Sequence, residues 1–310
     1  MTELTMLCFA ALVAHIDPAW RLVSVEVLSG GEAAHVALLD IAKSDGARER
    51  LVVRRHRPRD LANNPDIAHD EFRLLALLAA EGVAAPRPIH HEPAGLFETP
   101  CLVVSHIDGT PADDNVDPDA LVIEMAHYLA RLHRVDGSRR ELAFLPRLEQ
   151  GLETMVADSP VVPDETLSES SIRCALGNLP PPVSGHPPAL LHGDFWPGNI
   201  VWQDRTIAGV IDWEDAAIGD PVADLANARL ELAWLMGAQY ADQLAQRYVA
   251  ATHGAVDLAD LPRWDLAAAL RPAGWVGGWE EYDPETIRAM KARHREFVHK
   301  AMVELPIRYR

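Results

Sequence analysis

Cysteine is scarce in this chain. The 310 residues hold three, Cys8, Cys101 and Cys174, none at CxxC spacing. That excludes a disulfide framework and a cysteine-built metal site. Positive charge is short as well: 28 Lys and Arg against 46 Asp and Glu leave a formal charge of −18. Nucleic acids and anionic membranes recruit basic surfaces, so neither is expected as a partner. An acidic surface suits a small cationic partner, and it equally serves solubility. Long apolar runs are missing too. The stretch Met6 to Ala14 is too short to span a bilayer, and Glu3 precedes it where a signal peptide would be basic. A cytoplasmic location is therefore expected. There is no internal repeat and no low-complexity tract. What remains is 48% hydrophobic and 24% charged, an ordinary globular balance, long enough for one large domain or two modest ones.

The chemistry is concentrated near position 190. His192-Gly193-Asp194-Phe195-Trp196-Pro197-Gly198-Asn199 is followed by Ile211-Asp212-Trp213. Asn199 to Trp202 and Ile207 to Trp213 are β-branched and aromatic, with polar Gln203 to Thr206 between them. This pattern predicts two strands and a tight turn centred near Asp204-Arg205. Antiparallel pairing about that turn brings Asn199 and Asp212 to the open end of one hairpin, within reach of one cation. Asp194 sits on the loop entering it, where a hydroxyl can approach, and Gly193 and Gly198 supply the backbone freedom such a loop needs. A carboxylate to orient a hydroxyl, with an amide and a second carboxylate to hold Mg²⁺, is the inventory of phosphoryl transfer. The plainer alternative makes Asp194 and Asn199 turn residues and His192 a core histidine.

The segment LLHGDFWPGNIVW, continued by GVIDWEDAAIGDPVADLA, resembles the aminoglycoside phosphotransferase and choline kinase superfamily, which has a protein-kinase-like fold. The resemblance implies an α+β protein with two lobes. A small N-terminal lobe of antiparallel sheet and one helix spans residues 1–104, a hinge 105–109, and a larger, mainly helical lobe 110–310. It implies Asp194 as catalytic base and Asn199 and Asp212 as metal ligands. The implied donor is ATP, with GTP as the alternative, and the implied ion is Mg²⁺. Asp220-Pro221 and Asp224-Leu225 match the family's GDP-x-x-DL tail. Asp220 is expected to cap a helix begun by Pro221, and Asp224 to anchor the loop rather than to catalyse.

Upstream, Val23 to Leu28 and His35 to Leu39 read as strands joined by a glycine turn. In the resembling family this turn lies over the nucleotide phosphates, which makes Gly30 and Gly31 candidate contacts. Ala33-Ala34-His35 departs from the small polar residue and Asn usual there. Leu51 to Arg55 is a third strand, and alternation puts Arg54 on one face and Arg55 on the other. Arg54 stands where kinase-like folds usually carry a phosphate-binding lysine. A helix is expected from Pro65 to Glu81, capped by Asn64, with Glu71 on its apolar face beside Ile67, Leu74, Leu75 and Leu78. A carboxylate there needs a cation, and Arg54 is the candidate. Cys101 to Val104 reads as a buried strand breaking at Ser105. By resemblance alone, backbone groups near Ser105 and Ile107 meet the adenine.

Asp117-Pro118 is expected to open a helix that ends at Leu132-His133, with His133 a packing or capping residue. Two further helices fit between Ser138 and Asn178. Beyond Pro221, helices are expected over 221–236, 238–252, 260–270 and 284–304. In resembling enzymes this region builds the acceptor pocket. Trp279 and Glu280 are candidate acceptor contacts, since aromatic faces and carboxylates hold ammonium groups. They equally suit a core tryptophan beside an acidic turn. Glu214 and Asp215, just past Asp212, are better placed. The resulting expectation is a small-molecule kinase that phosphorylates a hydroxyl of an antibiotic, a choline-like amine or a related metabolite. Two rivals stand beside it: a pseudokinase that binds nucleotide without turnover, favoured by Arg54, and a metal-dependent hydrolase, for which no second metal cluster is seen.

Overall fold

The structure is a computed structural model that describes residues 3–28, 34–56, 58–112, 116–180, 185–273 and 282–305. The chain divides into two compact units. The first comprises residues 1–109 together with 208–214, and the second 110–207 together with 215–310.

The first unit begins with α1 (Glu3–Ile16), then β1 (Arg21–Leu28), β2 (Ala34–Ala42) and β3 (Arg48–His56). Next come α2 (Pro58–Asn63), α3 (Ile67–Ala80), β4 (Pro88–Glu92) and β5 (Cys101–Ser105). The strands form one sheet in the order β1-β2-β3-β5-β4, antiparallel throughout. Period-2 alternation gives the sheet two apolar faces. Ala37, Leu39, Ile41, Leu51, Val53, Cys101 and Val103 pack with Phe9, Leu12 and Val13 of α1 on one face. Leu102 and Val104 carry the opposite parity, and α3 packs against β4 and β5 with Leu74, Leu75 and Leu78 buried. Arg54 pairs with Leu102, so it shares the α3 face, whereas Arg55 pairs with Cys101 and lies over the Phe97 ring.

Three local expectations are corrected here. The lobe expected to hold one helix carries α1 and α2 besides α3, and the apolar stretch near the N-terminus is part of α1. Helix α3 starts at Ile67 instead of Pro65, because Asn64 Oδ1 accepts from Asp66 N at 3.0 Å, an Asx turn that delays helix entry. The last predicted strand ends at Val210. Asp212 lies beyond it with φ of +68°, and Trp213 Nε1 folds back onto the Val210 carbonyl at 2.9 Å.

The second unit carries β6 (Thr110–Pro111), α4 (Pro118–Leu132), α5 (Leu148–Ala157), α6 (Glu169–Asn178) and β7 (Ala189–Leu191). It continues with β8 (Ile200–Gln203), β9 (Thr206–Val210, which runs on into the first unit), β10 (Ala217–Gly219) and α7 (Pro221–Leu235). Helices α8 (Ala238–Ala251), α9 (Leu261–Leu270) and α10 (Pro284–Glu304) complete it. Asp204 and Arg205, both at positive φ, make the turn after β8. Helix α7 is buried on nearly every side and packs against α8, α9 and α10. Its Arg229 makes a two-pronged pair with Asp265 of α9, both contacts at 3.1 Å, so this buried cation is matched. Asp220 Oδ1 accepts from Val222 N at 2.9 Å, capping α7 with Pro221 in its first turn.

Candidate active site

In the second unit, β7 pairs with β10 and delivers the chain into the loop 192–199. Asp224, in the first turn of α7, accepts from His192 N at 2.7 Å and Gly193 N at 2.9 Å. His133 joins the same carboxylate at 3.3 Å and meets the Tyr248 hydroxyl at 2.7 Å. Burial alone would push the Asp224 carboxyl up. The hydrogen bond and charge of His133, with His192, outweigh it and hold the carboxyl below its ordinary value. Gly193 has φ of +83°, and a Cβ there would overlap the Asp215 carbonyl oxygen. Phe195 is fully buried and stacks on Tyr128 with an interplanar angle of 8°.

With its neighbours fixed, Asp194 presents a half-exposed carboxylate. Asn199 Nδ2 donates to the Asp194 carbonyl at 2.8 Å and to its Oδ2 at 3.0 Å. Committing the amide nitrogen this way leaves Oδ1 as the end of Asn199 that can meet a cation. Oxygen donors of this kind fit Mg²⁺. The 3-10 turn Pro197–Asn199 sets this geometry.

Arg271, just past α9, places Nη2 3.6 Å from both Asp194 Oδ1 and Asp215 Oδ2, and donates to Asn227 Oδ1. Glu231 lies on α7 one turn beyond Asn227. Its carboxyl is pushed up to about 8 by burial and then by Asp194, against the pull of Arg271. Asp194, Asp215 and Glu231 thus share the Arg271 guanidinium as their cationic neighbour.

In the first unit, Arg54 gathers three carboxylates. Its Nη1 bonds Glu71 Oε1, and its Nη2 lies 2.6 Å from Asp212 Oδ1 and 3.3 Å from Glu214 Oε2. Glu71 is 5% exposed, a carboxylate that needs this partner. Burial disfavours the Arg54 charge, but Glu71, Asp212 and Glu214 together hold its pKa above the ordinary value. Ser105 ends β5 with its N–H committed to the Arg87 carbonyl at 2.9 Å, which removes that donor from any adenine contact. Ile107 is half-buried, with its side chain over Gly209. Gly30, Gly31, Trp279 and Glu280 lie outside the described residues. Thus Arg54, Glu71, Asp212 and Glu214 come together in one unit, and Asp194, Asn199 and Asp215 in the other.

The phosphotransferase enzyme family model matches residues 24–295. The chain belongs to this family. Over 197 residues it is 29% identical to viomycin phosphotransferase of Streptomyces vinaceus, a match covering 58% of this chain and 64% of that protein, less than two thirds of its length. Among solved structures, the GDP complex of aminoglycoside 2'-phosphotransferase-IIIa aligns with a TM-score of 0.65 at 22% identity, covering 95% of this chain and 98% of the other. Amicoumacin kinase hAmiN in complex with AMP-PNP, Ca²⁺ and Ami aligns at 0.66 with 15% identity, covering 99% and 95%. At these identities the structural likeness establishes the fold, which is α+β and protein-kinase-like.

Sequence reasoning missed Arg271, Asn227 and Glu231. A signal was present. Asp224, Asn227 and Glu231 fall at i, i+3 and i+7, a polar stripe on a helix whose other residues, Arg229 apart, are apolar. Arg271 had none, since only packing of α9 beside α7 brings it there.

Proposed function

We propose that the chain transfers the γ-phosphoryl group of ATP to a hydroxyl of a small, cationic molecule, with an antibiotic as the first acceptor to test. GTP is the alternative donor. One observation carries the reading: the Asn199 amide is pinned to Asp194, so the carboxylate and the amide oxygen are oriented together while the carboxylate stays open to solvent. In the reaction Asp194 accepts the hydroxyl proton as the acceptor oxygen bonds to phosphorus and the bond to the nucleoside diphosphate breaks. Asn199 and Asp212 would hold Mg²⁺, which supplies charge neutralisation on the phosphate oxygens when bound. Arg54, braced by Glu71, would meet the nucleotide phosphates. Asp215 and Asp194 favour an acceptor carrying ammonium groups. The activity named for viomycin phosphotransferase and the antibiotic bound to amicoumacin kinase support this direction.

The test is a panel of hydroxyl acceptors, including viomycin and aminoglycosides, incubated with ATP or GTP and read by mass spectrometry for a phosphorylated product. Asp194→Ala should lower turnover by about 10³-fold or more while leaving nucleotide affinity largely intact. A variant that keeps more than about a tenth of the rate would show that Asp194 is not the base. A second reading, nucleotide binding without turnover, is favoured by the three carboxylates that engage Arg54. Mg-ATP binding by calorimetry with no product from any acceptor would select it.

A further inference from the structure

Three side chains of the first unit, none of them used above, close on one point. β4 is the edge strand of the sheet. His90 pairs with Val103 and Glu92 with Cys101, which places both on the face that α1 covers. His15 stands in the last turn of α1. Glu92 Oε2 lies 2.9 Å from His15 Nδ1 and 2.9 Å from His90 Nε2. The two imidazoles meet edge to face with centroids 5.4 Å apart. The three ligand atoms all fall within 4.8 Å of one another. Glu92 is only 7% exposed, whereas the His15 side chain is 60% exposed.

This is more than an ion pair on a surface. A buried carboxylate oxygen is shared between two imidazole nitrogens, and each short contact uses a ring proton. A single divalent ion can replace those protons, because neutral imidazole nitrogens and a carboxylate are its ligands. Two nitrogens and one oxygen suit a borderline transition ion such as Zn²⁺ and not Mg²⁺ or Ca²⁺, which prefer all-oxygen sets. Exposure of His15 leaves a side open for water as fourth ligand.

We propose that His15, His90 and Glu92 form a binding site for one divalent transition-metal ion, Zn²⁺ by donor set, that clips the end of α1 to the sheet edge. The site is separate from the residues assigned to phosphoryl transfer. His91 faces the other side of β4, where its Nε2 lies 3.2 Å from His69 Nδ1. That pair lacks the carboxylate and supplies a control.

The test titrates ZnCl₂ into the chelator-treated full chain, with excess Mg²⁺ present, by calorimetry and thermal unfolding. The expected result is one Zn²⁺ per chain and a raised melting temperature. His15→Ala and Glu92→Gln should each weaken binding by about tenfold or more, and His69→Ala should leave it unchanged. His15→Ala trims an exposed helix end and Glu92→Gln is isosteric, so both should fold, as melting without metal verifies. Absence of Zn²⁺ binding in the wild type overturns the site, as does undiminished binding by His15→Ala. Loss of binding in His69→Ala alone overturns it as well.

Discussion

By its family resemblance Arg54 stands where kinase-like folds usually carry lysine, and the chain's lysines are only Lys43, Lys291 and Lys300. Guanidinium and ammonium are not equivalent here. The planar fork reaches Glu71 through one nitrogen and Asp212 and Glu214 through the other, an arrangement a point charge does not reproduce. Arg54→Ala strands the buried Glu71 carboxylate. It should lower stability by about 3 kcal/mol in urea unfolding and abolish Mg-ATP binding in calorimetry. Arg54→Lys should fold but bind nucleotide more weakly than the wild type. Unchanged stability in Arg54→Ala would mean that Glu71 finds its partner elsewhere. Strand alternation in the sequence separated Arg54 from Arg55, and helix periodicity put Glu71 on the buried face. The three-carboxylate shell of Arg54 was not legible, because Asp212 and Glu214 join it from 158 and 160 residues away.

Among the elements, the loop 192–199 owes its shape to α7. Two backbone amides of the loop terminate on Asp224, and each would cost about 1–3 kcal/mol if left buried without an acceptor. Gly193 has no room for a side chain, with the Asp215 carbonyl against it, and its φ of +83° disfavours any other residue. Gly193→Ala should therefore shift the loop, lowering the melting temperature by several degrees and acceptor turnover by at least about tenfold. Normal activity in that variant would show the loop to be more forgiving than the geometry implies. The element pattern was largely readable. The spans of α8, α9 and α10 match the periodicity within a residue or so, since polar and apolar positions there repeat with helical spacing. β4 and α2 were not readable: Pro-Ile-His-His-Glu has little strand character and becomes a strand by pairing with β5.

At the scale of the whole molecule, Glu231 is an acid whose titration the fold displaces. The Glu231 carboxyl keeps its proton in the folded chain up to about 8, while in the unfolded chain it titrates at its ordinary value of 4.5. The folded state therefore binds more protons between these values, and stability falls as pH rises through that window. Below 4.5 the group contributes nothing, and above about 8 its penalty is complete. Glu231→Gln removes the titrating proton. Its stability relative to the wild type should grow by more than about 1 kcal/mol between about pH 5 and about pH 8.5, read by urea unfolding. A difference that does not change with pH would rule out Glu231 as a carrier of this slope.

The sequence by itself determined the family, the α+β class, the strand-and-turn frame of residues 200–210, and the pairing of Arg54 with Glu71. Local propensity, fixed spacing and side-chain chemistry are written in neighbouring letters. Only the tertiary structure decided that Arg271 and Glu231 stand beside Asp194, that Asp224 carries the loop, and that His15 meets His90 and Glu92. Those contacts join residues far apart in the chain, and their closeness comes from burying apolar faces of α7, α9 and α1, a force that is blind to the polar groups it carries along.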